Sequence, residues 1–194
     1  KLKYMVVMDP LATETSEFWK NFGELNDVDP AKIQTEVFRL PTTCFAEETG
    51  TFTNSGRVAL WKEAAVEPPG EAKPDSEIFA RLFVKIRELY RQEGGTLPEP
   101  ILNLHWPYLK AEAPTADELL REISGKAVTD LKDPNDPTKV VLAAGQQVPG
   151  FGALRDDGST SCGNWLYSGC YSEAGNNTAR RDNSAPSGLG QTLN

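Results

Sequence analysis

The chain has 194 residues, 39% of them apolar and 25% charged, with a net charge of −8 and a pI near 4.8. That length suffices for one domain with a sizeable core, or for one domain with an appendage, and the composition is globular rather than disordered. The acidic balance excludes charge-driven binding to nucleic acid or anionic membrane, and no apolar run approaches the roughly 20 residues of a membrane span.

No basic–apolar–small leader stands at Lys1, which leaves export open, since a fragment or mature chain would lack one too. Leu2 to Met8 reads as a strand buried on both faces, delivering Asp9-Pro10 to a Thr-rich turn. The C-terminal end of such a strand is where α/β folds bind nucleotides, although no Gly-x-Gly follows. Thr13 reads as the cap of a helix from about Glu14 to Phe22, with Phe18, Trp19 and Phe22 on one face. "GELNDVDPAK" is a polar surface insertion, with Gly23 as a stop and Pro30 as a break, and "TEVFRLP" is a second short strand ended by Pro41. "TFTNSGRVALWK" predicts strand–turn–strand around Asn54-Ser55-Gly56.

"VEPPGEAKPD" is a rigid connector to Asp75, which by position alone reads as the N-cap of the clearest helix. There Ile78, Phe79, Leu82, Phe83, Ile86, Leu89 and Tyr90 repeat at three and four, one stripe facing a core, until Gly94-Gly95 stop the helix. Thr115 to Glu118 form a capping box for a second helix through Leu119, Leu120 and Ile123 to Gly125. Beyond Lys126 the pattern offers turns and one strand, Lys139 to Ala143, and after about residue 150 it is loop-rich.

A single histidine, His105, leaves no material for a multi-histidine metal site or a His-centred triad, and its setting between Leu104 and Trp106 reads as a hydrogen-bonded structural residue. Of the three cysteines, Cys44 reads as a small buried hydrophobe. Cys162 and Cys170, with seven residues between them, could pair in an oxidising compartment or remain thiols packed against aromatics. Their spacing suits neither zinc nor an iron–sulfur cluster. Arg180-Arg181 with Asp182 reads as a surface charge cluster or a phosphate contact.

"VVMDPLATET", "LPTTCFAEETGTFTNSGR", "PPGEAKPD" and "GSTSCGNWLYSGCYSEAGNNTARRDNSAPSGLG" together resemble the catalytic subunit of respiratory, periplasmic formate dehydrogenases. These belong to the bis-pterin molybdenum/tungsten oxidoreductases, the dimethyl sulfoxide reductase superfamily. The resemblance implies an internal fragment of a much longer chain. It implies an α/β fold: residues 1–95 as part of an incomplete Rossmann-like third domain gripping a dinucleotide tail, and residues 96–194 as an irregular, α/loop-rich segment particular to formate dehydrogenases.

By the same resemblance, the cofactor is bis-molybdopterin guanine dinucleotide carrying Mo or W, and the cofactor-binding positions here are Met8, Asp9, Thr13 and Asp75. Asp9 would accept from sugar hydroxyls or guanine N–H groups, with Met8 beside it as a packing or backbone contact, Thr13 would add a hydroxyl, and Asp75 would take guanine N1–H and the amino group. No catalytic or metal-ligating residue falls in this stretch; the iron–sulfur cysteines and the selenocysteine or cysteine metal ligand would lie elsewhere. The implied partners are the rest of the catalytic subunit, an iron–sulfur electron-transfer subunit and, as a further candidate, a cytochrome subunit. Where some superfamily members place a cofactor-contacting Lys, this chain has Glu48, which cannot neutralise a pyrophosphate; Arg57 is a candidate substitute. A sister oxidoreductase with another substrate and a non-catalytic interaction module are the alternatives.

Overall fold

The computed structural model describes residues 2–20 and 28–180. The expected helix end at Phe22, the stop at Gly23, and Arg181 with Asp182 lie outside the described residues. The chain divides into two units, Lys1–Glu48 with Ala64–Pro114 and Thr49–Glu63 with Thr115–Asn194.

In the first unit, the β-branched run forms β1 (Tyr4–Asp9), which pairs in parallel with β2 (Glu36–Pro41); Val6 lies opposite Phe38, Val7 opposite Arg39, Met8 opposite Leu40 and Asp9 opposite Pro41. Side chains alternate, so Val7 is buried at 8% exposure while Tyr4, Val6, Phe38 and Leu40 share the other face and are exposed. The expectation of a strand buried on both faces is therefore corrected: among the described residues β1 is buried at Val7, while Tyr4 and Val6 on the other face are exposed.

The helix expected from Glu14 is also absent as such. Thr13 and Ser16 exchange hydrogen bonds, Thr13 N to Ser16 Oγ at 2.9 Å and Ser16 N to Thr13 Oγ1 at 3.3 Å, and the Ser16 hydroxyl also donates to the Thr13 carbonyl. These local bonds compete with a continuing helical ladder, so a turn leads into a single 3-10 turn at Phe18–Lys20. Thr13 does cap, but it caps a turn.

Past β2, Thr42 and Thr43 are buried, and the connector is tied to the strand end: Lys73 N donates to the Pro41 carbonyl at 3.3 Å, and Thr43 N to the Lys73 carbonyl at 3.1 Å. Helix α1 (Asp75–Glu93) follows and ends at Gly94, φ +73, whose N–H reaches the Tyr90 carbonyl. Pro74 is its N-cap and Asp75 its first helical residue, so the sequence-based capping role for Asp75 does not hold. Ala80 is the buried centre of α1; Ile78, Phe83, Ile86 and Tyr90 are half-buried, and Phe79, Leu82 and Leu89 remain exposed. The Arg87 guanidinium lies 4.5 Å from the centre of the Phe83 ring and donates to the carbonyls of Ile101 and Leu104, fastening α2 (Glu99–Leu102) and the following chain to α1. Phe83 and Trp106 stack at 4.3 Å beside it.

In the second unit, β3 (Gly50–Thr53) and β4 (Ala59–Lys62) form the expected hairpin, its turn held by Gly56 N donating to Asn54 Oδ1 at 2.9 Å. Helix α3 (Ala116–Ile123) has the expected capping box between Thr115 and Glu118. The remaining strands are β5 (Lys126–Ala127), β6 (Leu131–Asp133), β7 (Asp136–Leu142), β8 (Thr160–Ser161), β9 (Tyr171–Ser172) and β10 (Gly175–Asn176). β5 pairs with β8, β6 with β7 and β9 with β10, all antiparallel. The strand expected over Lys139–Ala143 is thus one arm of a hairpin whose other arm, β6, the pattern did not reveal. Leu120, Ala127, Leu131 and Val148 form this unit's buried apolar core.

Among the described residues the architecture is mixed helix and strand, with five two-stranded sheets. No helix among them is long and apolar enough to cross a membrane.

Candidate functional site

The site starts at the C-terminal end of β1. Pro10 has no N–H for the ladder, so pairing stops and the chain turns away at Asp9. The Asp9 carboxylate organises that turn: Oδ1 accepts from Leu11 N at 3.3 Å and Oδ2 from Thr13 Oγ1 at 3.0 Å. Two of the four expected binding residues are therefore in direct contact. Met8, half-buried, precedes Asp9 in register with Leu40.

A cleft of about 260 Å³ opens at this sheet edge, lined by Val7, Asp9, Leu11, Arg39 and Pro41 among others. Asp75 is not part of its lining. It stands exposed on the first turn of α1, two residues beyond Lys73, whose N–H is bonded to Pro41. Its carboxylate makes no hydrogen bond or ion pair to the described residues. The neighbouring cations are turned elsewhere: Lys73 and Arg81 pair with Glu77 at 3.3 and 2.7 Å. Partial burial would raise the Glu77 carboxyl, but the hydrogen bonds and charges of Arg81 and Lys73 outweigh it and hold the group below the usual carboxylate range. Asp75 thus sits on the first turn of α1, where the helix dipole favours a carboxylate, without a side-chain partner among the described residues.

Arg39, which also lines the cleft, was not among the candidates read from the sequence. The available signal was an arginine two residues before the strand-ending Pro41, on the same face of β2. Other candidates have different roles. Glu48 accepts a hydrogen bond from Thr43 Oγ1 at 2.9 Å. Arg57 belongs to the second unit, where it has a φ of +60 and its guanidinium lies 5.4 Å from the centre of the Trp165 ring. His105 is exposed and has no hydrogen bond to the described residues, which corrects the expectation of a hydrogen-bonded structural histidine. Another hollow, about 740 Å³, lies at the opposite end of the first sheet, lined by Leu2, Tyr4, Phe18 and Ile33 among others, away from Asp9.

The three cysteines are free thiols, each half-buried. Cys162 Sγ lies 3.2 and 3.1 Å from the carbonyls of Ile123 and Asn164. Burial pushes the Cys162 thiol up, and burial followed by the neighbouring Cys162 does the same to Cys170. A raised thiol holds less thiolate at neutral pH, so both should alkylate with iodoacetamide more slowly than glutathione at pH 7.5 and speed up only as pH passes about 9. Fast labelling of either at neutral pH, read by mass spectrometry, would contradict this. Among the described residues no group of three or more His, Cys, Asp or Glu side chains is placed to hold a metal.

Residues 38–85, from β2 into α1, match the molybdopterin oxidoreductase family. The chain is 55% identical over 193 residues to the formate dehydrogenase major subunit of Haemophilus influenzae, covering 100% of the chain and 19% of that protein. It is 50% identical over 193 residues to the formate dehydrogenase-O major subunit of Escherichia coli, again across 100% of the chain and 19% of the relative. The formate dehydrogenase 2 subunit alpha (cytochrome c-553) of Nitratidesulfovibrio vulgaris is 45% identical over 183 residues, 94% of the chain and 17% of the relative. The chain thus spans about a fifth of the length of the relatives it matches, 19% of the first two. The molybdopterin oxidoreductase pattern thus occupies residues 38–85, and similarity to the formate dehydrogenase major subunits runs along the whole chain.

Proposed function

We propose that this chain is the part of a formate dehydrogenase catalytic subunit that holds the guanosine tail of a pterin guanine dinucleotide. The observation that carries the reading is the end-to-end similarity to formate dehydrogenase major subunits, with the family match running across the connector into Asp75. The acceptors present suit such a tail. The Asp75 carboxylate has no protein partner among the described residues, and a carboxylate can take both N1–H and amino hydrogens of guanine, a pair adenine does not offer. Asp9 and Thr13, joined at the strand end, offer oxygens to sugar hydroxyls, with Met8 as a backbone or packing contact.

Residues 1–95 would then belong to a Rossmann-like tail-binding domain, completed by strands outside this chain, and residues 96–194 to a segment particular to formate dehydrogenases. When bound, the cofactor, carrying Mo or W, would supply the two-electron acceptor for oxidation of formate to carbon dioxide. This chain's residues would bind and orient its tail, contributing neither metal ligands nor proton transfer. Iron–sulfur clusters outside the chain, an electron-transfer subunit and a cytochrome are the proposed onward path, with the periplasm as the proposed location.

The test uses the full-length protein. It should reduce a viologen dye in the presence of formate, and acid hydrolysis should release guanine in proportion to bound metal. Metal without guanine would end the tail-binding reading; guanine without formate-dependent reduction would end the substrate assignment.

A further inference from the structure

We propose that Arg39 is the phosphate-binding residue of the β1–β2 cleft, gripping the diphosphate of the tail through charge-assisted hydrogen bonds. The proposal rests on the tail-binding reading above and adds the cation that reading lacks. A diphosphate needs a positive partner: Glu48 has the wrong sign, Lys73 is paired with Glu77, and Arg57, the substitute the sequence suggested, lies over Trp165 in the other unit.

Arg39 stands opposite Val7 in the parallel ladder and lines the cleft of about 260 Å³ together with Asp9. Among the residues lining that cleft it is the cation. Its side chain is 43% exposed, reachable by a ligand and close to the low-dielectric face of the sheet. Its ion pair to Glu17 is long, 3.7 Å, beyond hydrogen-bond reach, and the same Glu17 oxygen already accepts from Lys20 at 2.9 Å. The guanidinium donors therefore make no hydrogen bond to the described residues. A planar fork of unused N–H groups beside a strand end matches the bidentate geometry of phosphate oxygens. The Asp9 carboxylate, at the same edge, is held to its own turn by Leu11 N and Thr13 Oγ1. It serves the sugar while Arg39 serves the phosphates.

The experiment is titration calorimetry on full-length protein made without cofactor, using guanosine diphosphate, guanosine and inorganic pyrophosphate. Wild type is compared with Arg39→Gln and Arg39→Lys. Arg39→Gln should weaken guanosine diphosphate and pyrophosphate about ten- to a hundredfold while guanosine binding stays unchanged, which also shows that the variant folds. Arg39→Lys should fall between, keeping the charge without the fork. Equal binding of both phosphate ligands to wild type and Arg39→Gln overturns the proposal, as does a wild type that binds neither. If pyrophosphate binding depends on Arg39 but guanosine never binds, the guanosine reading falls and the anion site stands. If guanosine binds and the phosphates ignore Arg39, the reverse holds.

Discussion

Replacing Asp75 by Asn in the full-length protein will weaken retention of a guanine dinucleotide about ten- to a hundredfold while leaving the unfolding midpoint nearly unchanged. The carboxylate presents two acceptors; the amide presents one acceptor and a donor that would face the guanine amino group, donor against donor. A hydrogen bond to a charged group is worth about 1.5–3 kcal/mol, which sets the scale of the loss. Stability should barely move because Pro74, not Asp75, is the N-cap, and the Asp75 side chain makes no capping bond. Only its interaction with the helix dipole is at stake, about 0.3–1 kcal/mol at an exposed first turn. The measurement is guanine content per metal in purified protein beside a thermal melt. A clear fall in the melting midpoint with guanine content intact would make Asp75 a helix-start residue and nothing more.

The second large effect lies in the other unit. Gly125→Ala should destabilise by about 2–5 kcal/mol in urea unfolding. Gly125 joins the end of α3 to β5 with φ +95, a backbone conformation that residues with a Cβ rarely adopt. An added methyl would sit 3.0 Å from both Cys162 Cβ and the Ser161 carbonyl oxygen, and 3.2 Å from Cys162 Sγ. The neighbours cannot simply give way: Ser161 is in β8, paired with Lys126, and the Gly125 carbonyl accepts from Val148 N at 3.1 Å, tying in the most buried residue of that core. A loss below about 1 kcal/mol would mean that this junction relaxes and is not the rigid pivot the distances describe.

The sequence was most legible where local chemistry settles the outcome. The capping box at Thr115 is a short-range exchange of hydrogen bonds that needs no tertiary context, and it forms as expected. Asn54-Ser55-Gly56 makes its own turn for the same reason. It was least legible where a local bond competes with a regular element. Phe18 and Trp19 suggested a helical face, but the buried Ser16 hydroxyl bonds back to Thr13 and the segment stays a turn. β6 was hidden because a three-residue strand, Leu131–Asp133, carries no period to read. At the candidate site, the sequence placed Asp9 and Thr13 within one turn, and their direct hydrogen bond follows from the turn that Pro10 begins. Arg39 was not found: an arginine within a strand gains its meaning only when the parallel partner brings Asp9 alongside, a relation that depends on register across a long crossover.

The uncovered side of the first sheet has a practical outcome. Tyr4, Val6, Phe38 and Leu40 form a greasy strip on a two-stranded ribbon. Mutual repulsion from a net charge of −8 keeps copies apart in dilute buffer, but at physiological ionic strength that repulsion fades beyond about 8 Å. Added salt should therefore cloud a concentrated solution of this chain, and purification will go best at low ionic strength and low protein concentration.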